Sequence, residues 1–151
     1  MGNGEHTLGD LFLAATNFPG VKVHESSWSP TLASSARENS LRCAELGRGG
    51  HHDWDRRFKS LVKTKLGYIY AEINAESWKW QERNNPVELW TEAFKCWKQS
   101  PGHWSVASER HKLFGAGLEK SKKGIWYMTI VIADGGTLPL EPEKESEYKL
   151  W

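Results

Sequence analysis

The sequence has 151 residues, of which 38% are hydrophobic and 26% charged, and its formal net charge at pH 7 is +1. This length and composition fit one packed domain and exclude a disordered chain. The nearly balanced charge argues against nucleic acid or an anionic membrane as the main partner. No apolar run approaches the roughly 20 residues that cross a bilayer, so no transmembrane segment is predicted.

The N-terminal region predicts an arm followed by a short helix. Residues 1–7 are polar and Gly-rich, and we expect them to form a flexible arm. Apolar residues recur at helical spacing from Leu8 to Ala15 and predict a helix that ends before Pro19. The apolar run from Leu11 to Ala15 is short and follows Asp10 rather than a basic stretch, unlike a signal peptide. With no Sec-type signal in the given chain, we expect residence where it is made, a removed leader, or another route such as assembly into a particle.

The second predicted helix begins at Ser29 and Pro30, because serine caps helix N-termini and proline suits the first turn. Its apolar face continues to Leu46, and Gly47 supplies the end. The small residues over 33–36 predict that another layer approaches this helix closely.

Two further helices and a β-prone segment follow. A basic, amphipathic helix is predicted from Trp54 to Leu66, with residues 68–75 as a β-prone segment after it. Apolar spacing predicts another helix from Asn85 to Trp97. The cations of the basic helix are interpreted as a solvated face, with contact to an anionic surface as the alternative; they are Arg56, Arg57, Lys59, Lys63 and Lys65.

The last third of the chain predicts strands. Two sets of side chains alternate along residues 113–119, as in a strand. Residues 120–124 predict a hairpin turn, and residues 125–133 predict an apolar, central strand. Because most helices precede the strands, we predict an α+β architecture in layers. The tail over 135–151 carries Pro, Glu and Lys and then aromatic residues, and we interpret it as disordered or laid along another surface.

One rigid turn organises the candidate site. Ser100-Pro101-Gly102 breaks a helix and aims His103 in a fixed direction, and we predict a cleft that it shares with Glu72 and either His51 or His52. Two imidazoles and a carboxylate can form a divalent-metal site, for example for zinc. The same side chains can instead form a hydrogen-bonded network that joins layers. Both interpretations remain open from the residues alone.

Other reactive residues have simpler interpretations. Ser100 lies close enough to His103 for a Ser/His pair, but without a Gly-x-Ser-x-Gly elbow we assign its hydroxyl to backbone groups at the helix end. Cys43 and Cys96 are interpreted as packed thiols, with a disulfide between them left open. The remaining histidines are expected at the surface; these are His6, His24 and His111.

The sequence has nine tryptophans. Four fall on apolar faces and are predicted to lie in the core; they are Trp28, Trp90, Trp97 and Trp126. Trp78 and Trp80 lie in a segment without periodicity, where they could line the cleft, bind sugar or lipid, or form an interface. Packing at the core or its edge is the simpler interpretation for both.

Several ordered segments together resemble the CAP superfamily of cysteine-rich secretory, antigen 5 and pathogenesis-related class 1 proteins. The resemblance covers about residues 8–134, is nearest to bacterial-type members, and leaves 135–151 as a tail. The matching segments are Trp28-Ser29-Pro30-Thr31-Leu32-Ala33, His51-His52, Ala71-Glu72-Ile73-Asn74-Ala75, Trp97 to His103, and Phe114-Gly115-Ala116-Gly117.

This resemblance implies a three-layer α-β-α sandwich with a central, mainly antiparallel sheet. It also implies a cleft with two histidines and two acids. The histidines would be His52 (or His51) and His103, and the first acid Glu72. Ser100 stands at the second acid position, so the tetrad is incomplete and catalysis is disfavoured.

The preferred functional hypothesis is a CAP-like binding or interaction domain without turnover. It could be a structural component of a larger assembly such as a phage or virus particle, contacting other subunits through both tails. One alternative is a metal-assisted hydrolase acting on peptide or cell-wall material through His52, Glu72 and His103. Another is a lipid or sterol binder by family analogy. A lipid or glycan ligand and an extracellular or particle-associated location follow from the same resemblance.

Overall fold

The computed structural model describes residues 3–77 and 85–135. A single-turn 3₁₀ helix at Val23–Glu25 precedes the first strand. The helices and strands of this part are α1 (Asn3–Thr16), β1 (Ser27–Trp28), α2 (Pro30–Leu46), α3 (Trp54–Thr64), β2 (Ile69–Glu76), α4 (Pro86–Lys98), α5 (Pro101–Ala107), β3 (Leu113–Lys120) and β4 (Trp126–Asp134).

Most predicted elements are present with small shifts at their ends. Helix α1 begins at Asn3, inside the segment expected to be an arm. The predicted short helical turn near Trp104 is helix α5, which begins at Pro101. The tail beyond Gly135, like Trp78 and Trp80, lies outside the described residues.

The four strands form one sheet in the order β1-β3-β4-β2. Strand β4 pairs antiparallel with both β3 and β2, and only the short β1 pairs parallel, with β3. The prediction of a mainly antiparallel sheet with a central C-terminal strand is therefore confirmed. Strand β2 lies at one edge of the sheet.

Alternation along the strands divides the molecule into layers. One face of the sheet packs against α1, α4 and α5, with Phe94 and Ile130 in this larger core. The opposite face packs against α2 and α3, where Leu32, Leu61 and Val131 meet. The predicted α-β-α arrangement of three layers is thus present.

Glycines let helix α2 lie directly on the sheet. A Cβ atom on Gly115 would come within 2.1 Å of the Ala33 nitrogen, and one on Gly117 within 2.4 Å of the Arg37 Cα. The close approach predicted from the small residues of α2 is confirmed. Its N-terminus is capped as expected, since the Ser29 hydroxyl accepts a hydrogen bond from the Leu32 amide at 3.1 Å. Throughout the described ranges, every helix is too short or too polar to span a bilayer.

Candidate functional site

The predicted site residue Glu72 forms a buried ion pair with Arg57. Glu72 of β2 and Arg57 of α3 have side chains only 1% and 2% exposed. The Arg57 Nη1 donates to Glu72 Oε1 at 2.6 Å, and Nη2 donates to Oε2 at 3.0 Å. Such a two-point pair fixes both the position and the plane of the carboxylate.

Arg57 is also the hub of a wider network. Its guanidinium donates to the Ser35 hydroxyl at 3.0 Å, to Asn39 Oδ1 at 3.2 Å and to the His52 carbonyl at 2.9 Å. It therefore ties α2, α3, β2 and the intervening loop together. The interpretation of Arg57 as part of a solvated face is wrong.

Helical spacing is the signal that identifies this residue. Arg57 lies three residues after Trp54 and four before Leu61, and both of these pack in the smaller core. Those intervals place Arg57 on the apolar face of α3, where an arginine needs a buried partner. By contrast, the neighbouring Arg56 is 60% exposed and pairs with Glu38 at the surface.

Alternate residues of β2 hold the loop between α2 and α3. The Gly49 amide donates to Glu76 Oε2 at 3.1 Å, and the Gly50 amide to Asn74 Oδ1 at 2.9 Å. His51 continues the series, because its Nδ1 lies 2.7 Å from Glu72 Oε2. The loop is thus fixed by three acceptors on one face of the strand.

The two adjacent histidines have different surroundings. His51 contacts Glu72 and keeps a side chain that is 38% exposed. The His52 ring instead lies 3.2 Å from the Arg48 carbonyl, while its amide donates to Asn39 Oδ1 at 2.7 Å. The structure therefore brings His51, rather than His52, to the predicted carboxylate.

His103 lies on α5, which contacts the same edge strand, β2. Burial lowers the pKa of His103, and the nearby His51 lowers it further. Its Nδ1 is 2.8 Å from the Ser100 hydroxyl. Ser100 thus makes no side-chain cap on α5, contrary to its predicted role at the helix end. Within the described residues, no carboxylate hydrogen-bonds this histidine, so the pair lacks the orienting acid of a hydrolytic triad.

The donor set does not fit the predicted metal site. Both oxygens of Glu72 contact the Arg57 guanidinium, which is a permanent cation, so a divalent ion at this carboxylate would face direct repulsion. His51 and His103 alone supply fewer protein ligands than the three or four typical of zinc sites. Among residues 3–77 and 85–135, no group of three or more His, Cys, Asp or Glu side chains could hold a metal ion.

Two histidines expected at the surface lie elsewhere. His111 does precede a strand, but its side chain is only 6% exposed and its Nδ1 is 2.6 Å from Asp134 Oδ2. His24 is half-buried and packs edge-on against Phe12, and burial lowers its pKa. The His6 side chain lies outside those the structure describes.

The cysteines and tryptophans largely follow expectation. Cys43 is buried as expected, but Cys96 is exposed, so the interpretation of Cys96 as a packed thiol is wrong; no disulfide joins the two cysteines. Burial raises the pKa of Cys43 to about 12, as for an inert packed thiol. The four tryptophans assigned to the core lie in it or against it: Trp90 and Trp97 are buried, and Trp28 and Trp126 are partly buried.

Comparisons with known proteins identify the fold. No protein-family model matches the sequence, and no curated protein matches it either. An outer surface protein of Borrelia burgdorferi has a similar structure, with a TM-score of 0.59, 12% identity and coverage of 87% of this chain and 91% of that one. Venom allergen-like protein 4 of Schistosoma mansoni gives a TM-score of 0.52, 14% identity and coverage of 97% and 99%. The chain therefore has a CAP-like α-β-α fold.

Proposed function

We propose that this chain is a CAP-like binding or interaction domain without catalytic turnover. The observation that carries the proposal is the two-point contact between Arg57 and Glu72. A carboxylate held this way joins layers of the fold, and the adjacent guanidinium disfavours a metal ion beside it. The side chains that a hydrolase would use therefore serve to stabilise the fold. The exposed part of the His51 side chain lies on the surface that these residues support.

A second observation supports the absence of turnover. Ser100 and His103 form a hydrogen-bonded pair, which is the beginning of a nucleophile–base arrangement. Its histidine has no hydrogen-bonded carboxylate among the described residues, and Ser100 stands at the position of the second acid in the CAP resemblance. Within residues 3–77 and 85–135, the hydrolase alternative thus lacks both an orienting acid and a fitting metal site.

Hydrolysis assays test this proposal directly. Full-length protein is incubated with labelled casein and with cell-wall fragments, with and without added zinc, beside a His103→Ala variant. We expect release of label at the rate of the protein-free blank in every sample. Turnover above the blank that disappears in His103→Ala would overturn the proposal.

The nature of the partner remains a prediction. The similar structures include an outer surface protein and a venom allergen-like protein, which supports an extracellular or surface-exposed location for this chain as well. A role in a larger assembly, such as a phage or virus particle, would place several copies or subunits in contact. Light scattering coupled to size-exclusion chromatography tests this role: self-association or co-elution with a candidate subunit supports it, and a strict monomer that binds no such subunit argues against it. The lipid or sterol alternative stays a prediction.

A further inference from the structure

A second histidine–carboxylate pair lies far from Glu72 in the sequence and joins the end of β4 to the α5–β3 connection. His111 Nδ1 is 2.6 Å from Asp134 Oδ2, and His111 Nε2 is 2.8 Å from the Val106 carbonyl oxygen. The other carboxylate oxygen, Asp134 Oδ1, accepts from the Lys112 amide at 2.9 Å. The His111 amide itself donates to the Ser26 hydroxyl at 2.8 Å.

The protonation state follows from these partners. A neutral imidazole has one N–H donor and one lone pair, whereas an imidazolium has two donors. Both ring nitrogens of His111 face oxygen acceptors, a carboxylate on one side and a peptide carbonyl on the other. Only the charged form satisfies both, and the neutral form would leave a lone pair directed at an oxygen inside a buried site.

The electrostatic surroundings agree with this assignment. Burial by itself lowers the pKa of His111, but Asp134, the Val106 carbonyl and Glu109 together raise it above its ordinary value. Asp134 and Glu109 are the charged groups that act on this ring. Asp134 of strand β4 and Glu109 of the connecting segment thus supply carboxylates, and Val106 of helix α5 supplies a carbonyl. The Ser26 hydroxyl, in the segment before β1, accepts from the backbone amide of His111.

We propose that His111 is a pH-sensitive clasp: as an imidazolium it fastens the 108–112 segment to α5 and to the end of β4, and loss of its proton removes one ring hydrogen bond and loosens that segment. The ring of His111 joins helix α5 to the end of β4, so the clasp holds the C-terminal end of the helix that carries His103. Nothing in this role requires or excludes turnover at the cleft.

The direction of the pH dependence follows from linkage. A histidine whose folded pKa exceeds its unfolded value of about 6.5 stabilises the fold fully below that value, and the contribution is lost as pH rises through the folded pKa. Each pKa unit by which the folded value exceeds the unfolded value corresponds to about a tenfold change in the folding equilibrium constant. The clasp therefore tightens in mildly acidic solution and loosens in alkaline solution.

NMR of the full-length protein with ¹⁵N-labelled histidine tests the proposal without any substitution. We expect both ring nitrogens of His111 to carry protons at pH 6.5, and the ring to titrate above that pH. Amide exchange of residues 108–112, corrected for its intrinsic pH dependence, should accelerate through the same titration. A His111 ring that is neutral at pH 6.5 would overturn the proposal.

Variants then connect this proton to stability. Urea unfolding at pH 6 and pH 9 should show that the pH-dependent loss of stability is reduced in His111→Gln and retained in the control His52→Gln. Asp134→Asn removes the negative charge, and should lower the pKa of His111 in the NMR titration. If His111→Gln does not fold, the Asp134→Asn titration decides: an unchanged pKa of His111 would refute the clasp.

Discussion

Replacing Arg57 by leucine should destabilise the protein more than any surface change on the same helix. The substitution leaves Glu72, a carboxylate whose side chain is 1% exposed, without its two-point cation. Removing one member of a buried ion pair typically costs about 3–5 kcal/mol, because the remaining charge stays desolvated. Acceptors on Ser35, Asn39 and His52 also lose the hydrogen bonds that Arg57 donates. We therefore expect the free energy of unfolding to fall by about 3–5 kcal/mol.

The neighbouring Arg56 provides a matched control. It lies one residue away on the same helix, but it is 60% exposed and its partner Glu38 is 45% exposed. An exposed pair is worth about 0–1 kcal/mol, so Arg56→Leu should change stability only by that amount. Urea denaturation with linear extrapolation measures both variants. Equal, small losses of unfolding free energy for the two substitutions would refute the central role of Arg57. A double Arg57→Leu/Glu72→Met variant should lose less unfolding free energy than the sum of the two single changes.

Two other predictions concern the packing of α2 and the thiols. Gly115→Ala places a Cβ 2.1 Å from the Ala33 backbone nitrogen, so thermal and urea unfolding should show a loss of at least about 2 kcal/mol. Gly102→Ala, which meets no atom within 4 Å, should change stability by less than about 1 kcal/mol, and a similar loss for both would contradict the close contact. Ellman's reagent at pH 8 should modify Cys96 in the folded protein and Cys43 only after unfolding. Rapid modification of both thiols under native conditions would argue against a buried Cys43.

Local patterns in the sequence account for most of the fold. Ser29-Pro30 marks the start of α2, and the alternation at Gly115 and Gly117 places both glycines under that helix. These signals act over a few residues, so they can be recognised without knowing what packs nearby. The order of the layers can be predicted because β3 and β4 are apolar and are separated by a short turn, which favours an antiparallel hairpin.

The candidate site was less predictable because its partners are distant in the chain. The sequence predicts that Glu72 meets His51 or His52, whereas the basic character of α3 favours a solvated Arg57. The clasp at His111 depends on Asp134, which is 23 residues away in the chain. The antiparallel pairing of β3 and β4 brings the two residues close together. The position of His111 near a strand start predicts a surface location, because the neighbouring sequence carries no information about a partner on another strand.

The central claim is that Arg57 holds Glu72 in a structural role. Zinc binding tests this claim most directly. Full-length protein is dialysed with excess zinc and then against metal-free buffer, and its metal content and melting temperature are compared with an EDTA-treated sample. We expect less than stoichiometric zinc and the same melting temperature in both samples. Stoichiometric zinc that raises the melting temperature, and that is lost in Glu72→Gln, would contradict the account.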